Sequence, residues 1–377
     1  MNQSLDFHEF PEAEYQGRYQ RARGLMAEAG LDALLVSEDN NYRYFTGHLP
    51  PTKNRPTLFV LPLEGSPFIV AATYGSAAAK QMSWVQEILE YEVPLTAEDL
   101  REALAGAGLS GKTIGTEAHD RFFGAAGMGV SHGEYQRLQG VMPDASFRDA
   151  SELIWRLRMV KSPLEQECLA KVCEITGRAY QRTFGAARPG MTESQVGQVL
   201  VAAMLEEGAD LPTQGRPGPC AFLIVDASRP LGELHAPTEK PLGAGDLLHI
   251  DTGAIYNGYC ADFARLATVG PASDAQKAQW QEVRQRMDDA LSVVRPGNRL
   301  GNILVHWHGV GLDGVEPPFV GNHDDLTMEP GMVLALEEII YSESGETYHL
   351  EENVIVTEKG YELLTTVDSG LYLIADD

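Results

Sequence analysis

The chain has 377 residues and a mass of 41.1 kDa, with 54 Asp and Glu against 29 Lys and Arg, so its formal net charge is −25. Nucleic acid and anionic membrane surfaces are both bound through an excess of base, and this balance argues against either as a partner. The composition, 44% hydrophobic and 22% charged, is that of a globular chain with room for two domains or three.

The first residues, MNQSLDFHEFPEAEYQ, are acidic and lack the basic and apolar segments of a secretory leader. No run approaches the roughly 18 apolar residues of a spanning helix. Cys168, Cys173, Cys220 and Cys260 form no CxxC pair and read as reduced thiols. A soluble, cytoplasmic protein is expected.

Residues 1 to about 150 alternate short strands and helices. LDALLVS is a strand, and TLFVLP and PFIVAA flank Leu63-Glu64-Gly65-Ser66 as a hairpin would. Helices are expected around 97–107 and 131–140, with KTIGTEA a strand between them. This first part is an α/β domain with no catalytic motif. The pattern changes at Ser162-Pro163-Leu164-Glu165, where a Ser cap, Pro at the first helical position and an acid three residues after the cap start a helix. Leu164, Cys168, Val172, Ile175 and Ala179 then form one apolar stripe. The boundary is placed just before this helix, giving domains 1–155 and 156–377.

The second domain echoes itself. The helix from 163 runs into Arg188-Pro189-Gly190, and a second, capped by Ser273, carries Trp280, Val283, Met287, Leu291 and Val294 into Arg295-Pro296-Gly297. After the first RPG another helix is capped by Thr192 with Gln195 three residues on. After the second, only five residues precede ILVHWHG, a stretch that lacks a helix. The two halves read as a duplication with the second one shortened.

Chemistry concentrates in two hairpins. In LLHIDTGAIYNGYCADFARLATV, Asn257-Gly258 is a two-residue turn signal. Counting back pairs 256 with 259, 253 with 262 and 251 with 264, so Asp251 and Asp262 are diagonal neighbours on one face, roughly 7–8 Å apart. In the second hairpin, around Gly345, positions 337 and 351 oppose each other. Glu337 and Glu351 so placed repel unless a cation lies between them. His306 and His308 share a strand face, and either could supply an imidazole. Four carboxylates and one imidazole suit Mn²⁺, with Co²⁺ or Zn²⁺ as alternatives, in a dinuclear site.

Asp251 and Asp262 with ten residues between them, WHGVG at His308, PGMVLALEE with Glu337, and HLEENVIVTEKG with Glu351 resemble the pita-bread-fold dinuclear metallopeptidases related to methionine aminopeptidase. Within them the resemblance is to the branch of Xaa-Pro aminopeptidases, Xaa-Pro dipeptidases and creatinase. NNYRYFTG and RLRMVKSPLEQE extend it to that branch's N-terminal domain and interdomain helix. The resemblance implies an α+β protein, with a creatinase-like α/β domain followed by a pita-bread domain of pseudo-twofold helices around a curved antiparallel sheet.

It also implies that Asp251, Asp262, His308, Glu337 and Glu351 are the ligands of two divalent ions, His308 being favoured over His306 because it precedes Gly-x-Gly. His235, in GELHAPTEK, matches a substrate-facing histidine, Glu316 lies on the substrate side, and Glu337 and His235 are the catalytic candidates. The activity implied is hydrolysis of the X-Pro bond of short peptides by a hydroxide bridging the two ions, in a homodimer; Tyr42, Tyr44 and Phe45 are candidates to line the partner's site, but half-buried core aromatics are the favoured reading of them.

The sequence departs from the family at Trp307, at Val315 in place of a second histidine, at Glu338 in place of proline, and at His349 in place of an arginine. These changes bear on the pocket. They keep open a creatinase-like hydrolysis of a non-peptide C–N bond, whereas the retained ligand set argues against a non-catalytic binding module.

Overall fold

The computed structural model describes residues 8–52, 55–118, 132–212, 218–228, 236–342 and 345–375, and divides into two compact units, Met1–Arg158 and Met159–Asp377. His235 lies outside the described residues. Among the described residues no helix is long and apolar enough to cross a membrane.

The first unit is a six-stranded mixed sheet of strands β1 (Ala33–Val36), β2 (Leu58–Pro62), β3 (Phe68–Ala72), β4 (Glu87–Tyr91), β5 (Thr113–Thr116) and β6 (Ser146–Asp149), in the order β4-β3-β2-β1-β5-β6. Helices α1 (Glu12–Ala29), α2 (Asp39–Thr46), α3 (Thr73–Met82), α4 (Ala97–Gly106), α5 (His132–Val141) and α6 (Ser151–Met159) connect and cover it. The 58–72 hairpin is antiparallel as its turn predicts, with Leu58 opposite Val70. Glu117 is buried and accepts hydrogen bonds from the Ser37 and Glu38 amides and from Asn41 Nδ2, anchoring the start of α2. Tyr42, Tyr44 and Phe45 on α2 are fully buried within this chain and belong to its core, not to its surface.

The second unit opens with α7 (Pro163–Ala186) and α8 (Glu193–Glu207). Both start with a complete capping box, Ser162 with Glu165 and Thr192 with Gln195, in which each side chain takes the other residue's amide. A sheet of β7 (Cys220–Ala227), β8 (Leu247–Tyr256), β9 (Tyr259–Cys260), β10 (Phe263–Val269) and the chain's last strand follows, then α9 (Asp274–Ser292), capped by Ser273 and Gln276. The second sheet contains β11 (His306–Gly309), β12 (Glu316–Phe319), β13 (Val333–Tyr341), β14 (Thr347–Thr357) and β15 (Gly360–Leu363), and β16 (Tyr372–Ile374) returns to pair with β10. Between α9 and β11 stands only a 3₁₀ turn, Leu300–Asn302.

Trp280, Val283, Met287 and Leu291 on α9 pack against Leu334, Leu336 and Leu350 of the second sheet. Tyr180 of α7 donates to the Phe263 carbonyl at 2.7 Å, and Thr176 accepts the Ala254 amide at 3.0 Å, fixing that helix against the first hairpin. Arg265 of β10 is completely buried and joins the two sheets, donating to the Glu351 carbonyl and to Glu352 Oε2, each at 2.8 Å.

Both hairpins have the register that their turns dictate. Asn257 and Gly258 take positive φ of 46° and 77°, and Asp210 accepts both of their amides. Tyr256 pairs with Tyr259 and Asp251 with Ala264. The expected 253–262 pair is absent, because the ladder stops at Ile255 and Cys260 and resumes at Thr252 and Phe263. At the gap the backbone passes so close to Gly253 that a Cβ there would lie 1.6 Å from the Ala261 carbonyl oxygen. Gly253→Ala should therefore destabilise the chain by about 3 kcal/mol, seen as a lower urea midpoint at unchanged slope. A midpoint within error of wild type would mean that the strand yields without loss.

Candidate metal centre

The gap in the first ribbon is filled by a side chain from the second. Asn353 of β14 accepts the Asp262 amide through Oδ1 at 3.0 Å and donates Nδ2 to the Asp262 carbonyl at 2.5 Å. Asp262 is thereby held at the site by a substitute for the missing ladder pair. Asp251 stands on β8. Glu337 on β13 lies directly opposite Glu351 on β14.

His308 closes the group from β11. Its Nδ1 donates to the Gly309 carbonyl at 3.0 Å, which leaves Nε2 a bare acceptor 3.7 Å from both Asp262 Oδ2 and Glu351 Oε1. All five residues expected as ligands converge. Four of them are buried, and Glu337 is somewhat more open.

Histidines absent from the expected ligand set complete the arrangement. His306 Nδ1 lies 2.5 Å from Glu337 Oε1, its ring half-exposed. His349 Nε2 is 3.3 Å from Glu337 Oε2 and 3.7 Å from Glu351 Oε2. His349 Nδ1 is 3.1 Å from His249 Nε2, and His249 Nδ1 is 3.0 Å from Asp226 Oδ2. Three donor groups result, Asp262–His308–Glu351, Glu337–His349–Glu351 and His249–Asp251–His349. In the sequence His349 registers only as a departure from an arginine, and His249 and Asp226 are missed. The signal that finds the histidines is H-x-D at 249–251 and H-x-E at 349–351, each placing a histidine on the same strand face as a ligand carboxylate.

These residues fit divalent cations. Asp251 Oδ1 is buried with no hydrogen-bond partner, as is His349 Nε2, although Glu337 Oε2 is 3.3 Å from it. Among the described residues none of the four carboxylates is ion-paired with Lys or Arg. Donor atoms 3.3–3.7 Å apart have the spacing of neighbouring ligands on one ion with bonds of about 2.0–2.2 Å. The donors are mostly oxygen, with imidazole nitrogen added.

Glu316 is placed differently. Its carboxylate is buried in an ion pair with Lys161 Nζ at 3.0 Å and accepts the Asp313 amide at 3.3 Å, bracing the turn that follows His308. The φ of Gly311 is ordinary, but a Cβ there would come within 2.5 Å of Glu316 Oε1.

Burial, then mutual repulsion, drives Asp262 and Glu351 well above the usual carboxylate range. Burial also raises Asp251, against the pull of His349 and His249. Burial alone would raise Glu337, but the hydrogen bond of His306 on Oε1 and the surrounding imidazoles outweigh it and hold that carboxyl low. Burial lowers His308, favouring the neutral, ligating form.

The duplicated helices, paired hairpins and buried carboxylate–imidazole cluster define a metal-dependent hydrolase with a separate α/β unit ahead of it. The chain belongs to metallopeptidase family M24, whose model matches residues 167–307 and 304–358, and a creatinase/prolidase N-terminal domain matches residues 18–160. It is 26% identical to the Xaa-Pro dipeptidase of Lactobacillus helveticus, over 93% of this chain and 96% of that one. It is 29% identical to the probable dipeptidase PepE of Mycobacterium bovis, over 92% and 93%. The X-Pro aminopeptidase of Thermotoga maritima superposes with a TM-score of 0.79 at 26% identity, over 94% of this chain and 99% of that one.

The raised acids set a pH dependence. Above the ordinary carboxylate range the folded, metal-free chain holds more protons than the unfolded one, so its stability falls as pH rises through that window. Cations compete for the same oxygens, so their uptake should release protons and strengthen with pH. Titration calorimetry of the metal-free protein with Mn²⁺, in buffers of different ionisation heat at neutral pH, should show net proton release. Uptake without release would show that the acids are already ionised.

Proposed function

We propose that this chain hydrolyses the X-Pro bond of short peptides, as an Xaa-Pro dipeptidase or aminopeptidase. The observation that carries the reading is the convergence of Asp251, Asp262, His308, Glu337 and Glu351, in a family member whose relatives include enzymes named for that bond. Two divalent ions at these ligands, Mn²⁺ fitting the oxygen-rich set best, would acidify a shared water and polarise the scissile carbonyl.

The chain's own residues position and move the proton. Glu337 is the most open of the four carboxylates, and its Oε1 is oriented by His306. It accepts the proton of the attacking water and returns it to the departing proline nitrogen. His235 would face the substrate, as the family resemblance implies. Glu316 would act on the substrate side through the Gly311–Asp313 turn that it braces, since its carboxylate is taken by Lys161. The resemblance and the reduced cysteines further support a cytoplasmic homodimer.

Release of X from X-Pro and X-Pro-Y peptides with added Mn²⁺ tests the reading. Turnover should vanish on chelation and return with metal, and Glu337→Gln should lower kcat by about 10²–10⁴-fold with a smaller effect on KM. No turnover across a broad panel of X-Pro peptides by the metal-loaded protein would overturn it.

A further inference from the structure

We infer that His349 is itself a metal ligand, through Nε2, and that Asp226 and His249 fix the tautomer that makes it one. The inference rests on the dinuclear reading of the site and adds a sixth protein ligand to the five expected.

The argument follows the protons along a buried chain of three side chains. An ionised Asp226 only accepts, so the 3.0 Å contact from its Oδ2 places a proton on His249 Nδ1. With that proton as its only one, His249 presents its other nitrogen, Nε2, as a bare acceptor towards His349. Its 3.1 Å partner, His349 Nδ1, must carry the shared proton. The remaining nitrogen, His349 Nε2, is left with its lone pair directed among carboxylates, 3.3 Å from Glu337 Oε2 and 3.7 Å from Glu351 Oε2.

A lone pair facing two carboxylate oxygens is repulsive unless a cation lies between them. The atom is buried, lacks a hydrogen-bond partner and lies at ligand spacing from both oxygens. His308 is prepared in the same way, with Nδ1–H on a carbonyl and Nε2 bare. The arrangement Asp226–His249–His349 therefore does for the second imidazole what the Gly309 carbonyl does for the first, orienting the ring and raising its basicity.

Register explains why the chain can form. Asp226 and His249 are cross-strand partners on β7 and β8, and His249 is two residues before Asp251 as His349 is two residues before Glu351. A second imidazole would move the site's preference from purely oxygen-loving ions towards Co²⁺ and Zn²⁺.

The alternative distribution, with both protons on His249, makes His349 Nε2 an N–H donor to Glu337 and not a ligand. Proton NMR of the protein loaded with two equivalents of Co²⁺ separates the two. Each cobalt-bound imidazole that keeps one N–H gives a strongly shifted signal that disappears in D₂O. Two such signals are expected, from His308 and His349, and one is expected in His349→Gln. A single signal in the wild type would overturn the assignment, and this reading needs no variant to fold.

Calorimetry with Co²⁺ gives the second readout. His349→Gln should weaken one of two ions at least about tenfold and leave the other near its wild-type affinity, while Asp226→Asn should weaken the same ion less. Equal affinities in wild type and His349→Gln would also overturn it. Neither measurement depends on peptide turnover: two signals without X-Pro hydrolysis would sink the proposed substrate and leave this ligand standing.

Discussion

Four carboxylates brought together out of water, with no lysine or arginine paired to them among the described residues, are the arrangement on which the rest of the second unit depends. Burying one such group without a partner is expensive, and placing four side by side adds repulsion. The fold tolerates this because the carboxylates are fixed by rigid strands and not by their own contacts. Protonation or a multivalent cation relieves the repulsion, and the imidazole nitrogens around the group add further donors for such a cation.

That constraint explains features that otherwise look unrelated. Asn353 binds both backbone groups of Asp262 at a point where the ladder is broken, so the acid is aimed by an amide and not by a strand pair. Gly253 lets the broken strand pass close enough for this to happen. Arg265 is a fully buried cation, yet it spends its donors on the Glu351 carbonyl and on Glu352, so it holds the two sheets together without pairing with a ligand carboxylate. Lys161 likewise pairs with Glu316 and braces the turn after His308. The cations of this region are structural, which leaves the centre of the cluster open to metal.

The duplication gives the arrangement its economy. Each half contributes a hairpin, and each hairpin contributes two acids on one face. Each half also contributes a histidine two residues ahead of an acid, His249 and His349, and these meet across the site. The departure of His349 from the family's arginine is therefore part of a set with His249 and Asp226. It exchanges a long permanent cation for an imidazole whose bare nitrogen can bind one.

Much of this was legible in the residues taken in order. Capping boxes mark the helix starts at Ser162, Thr192 and Ser273; the Asn257-Gly258 turn places Asp251 opposite Ala264, and the turn around Gly345 places Glu337 opposite Glu351. These are local rules, because a turn fixes the register of its own strands and a cap satisfies amides three residues away. Other features were decided only by tertiary packing, which brings together residues far apart in the chain. The Asn353 clasp on Asp262 spans 91 positions, the His249–His349 contact 100, and the Lys161–Glu316 pair 155. The identity of the acids and their hairpin pairing belong to the sequence. Which imidazole presents a bare nitrogen to them, and which charges are already taken, depend on long-range contacts that no local period encodes.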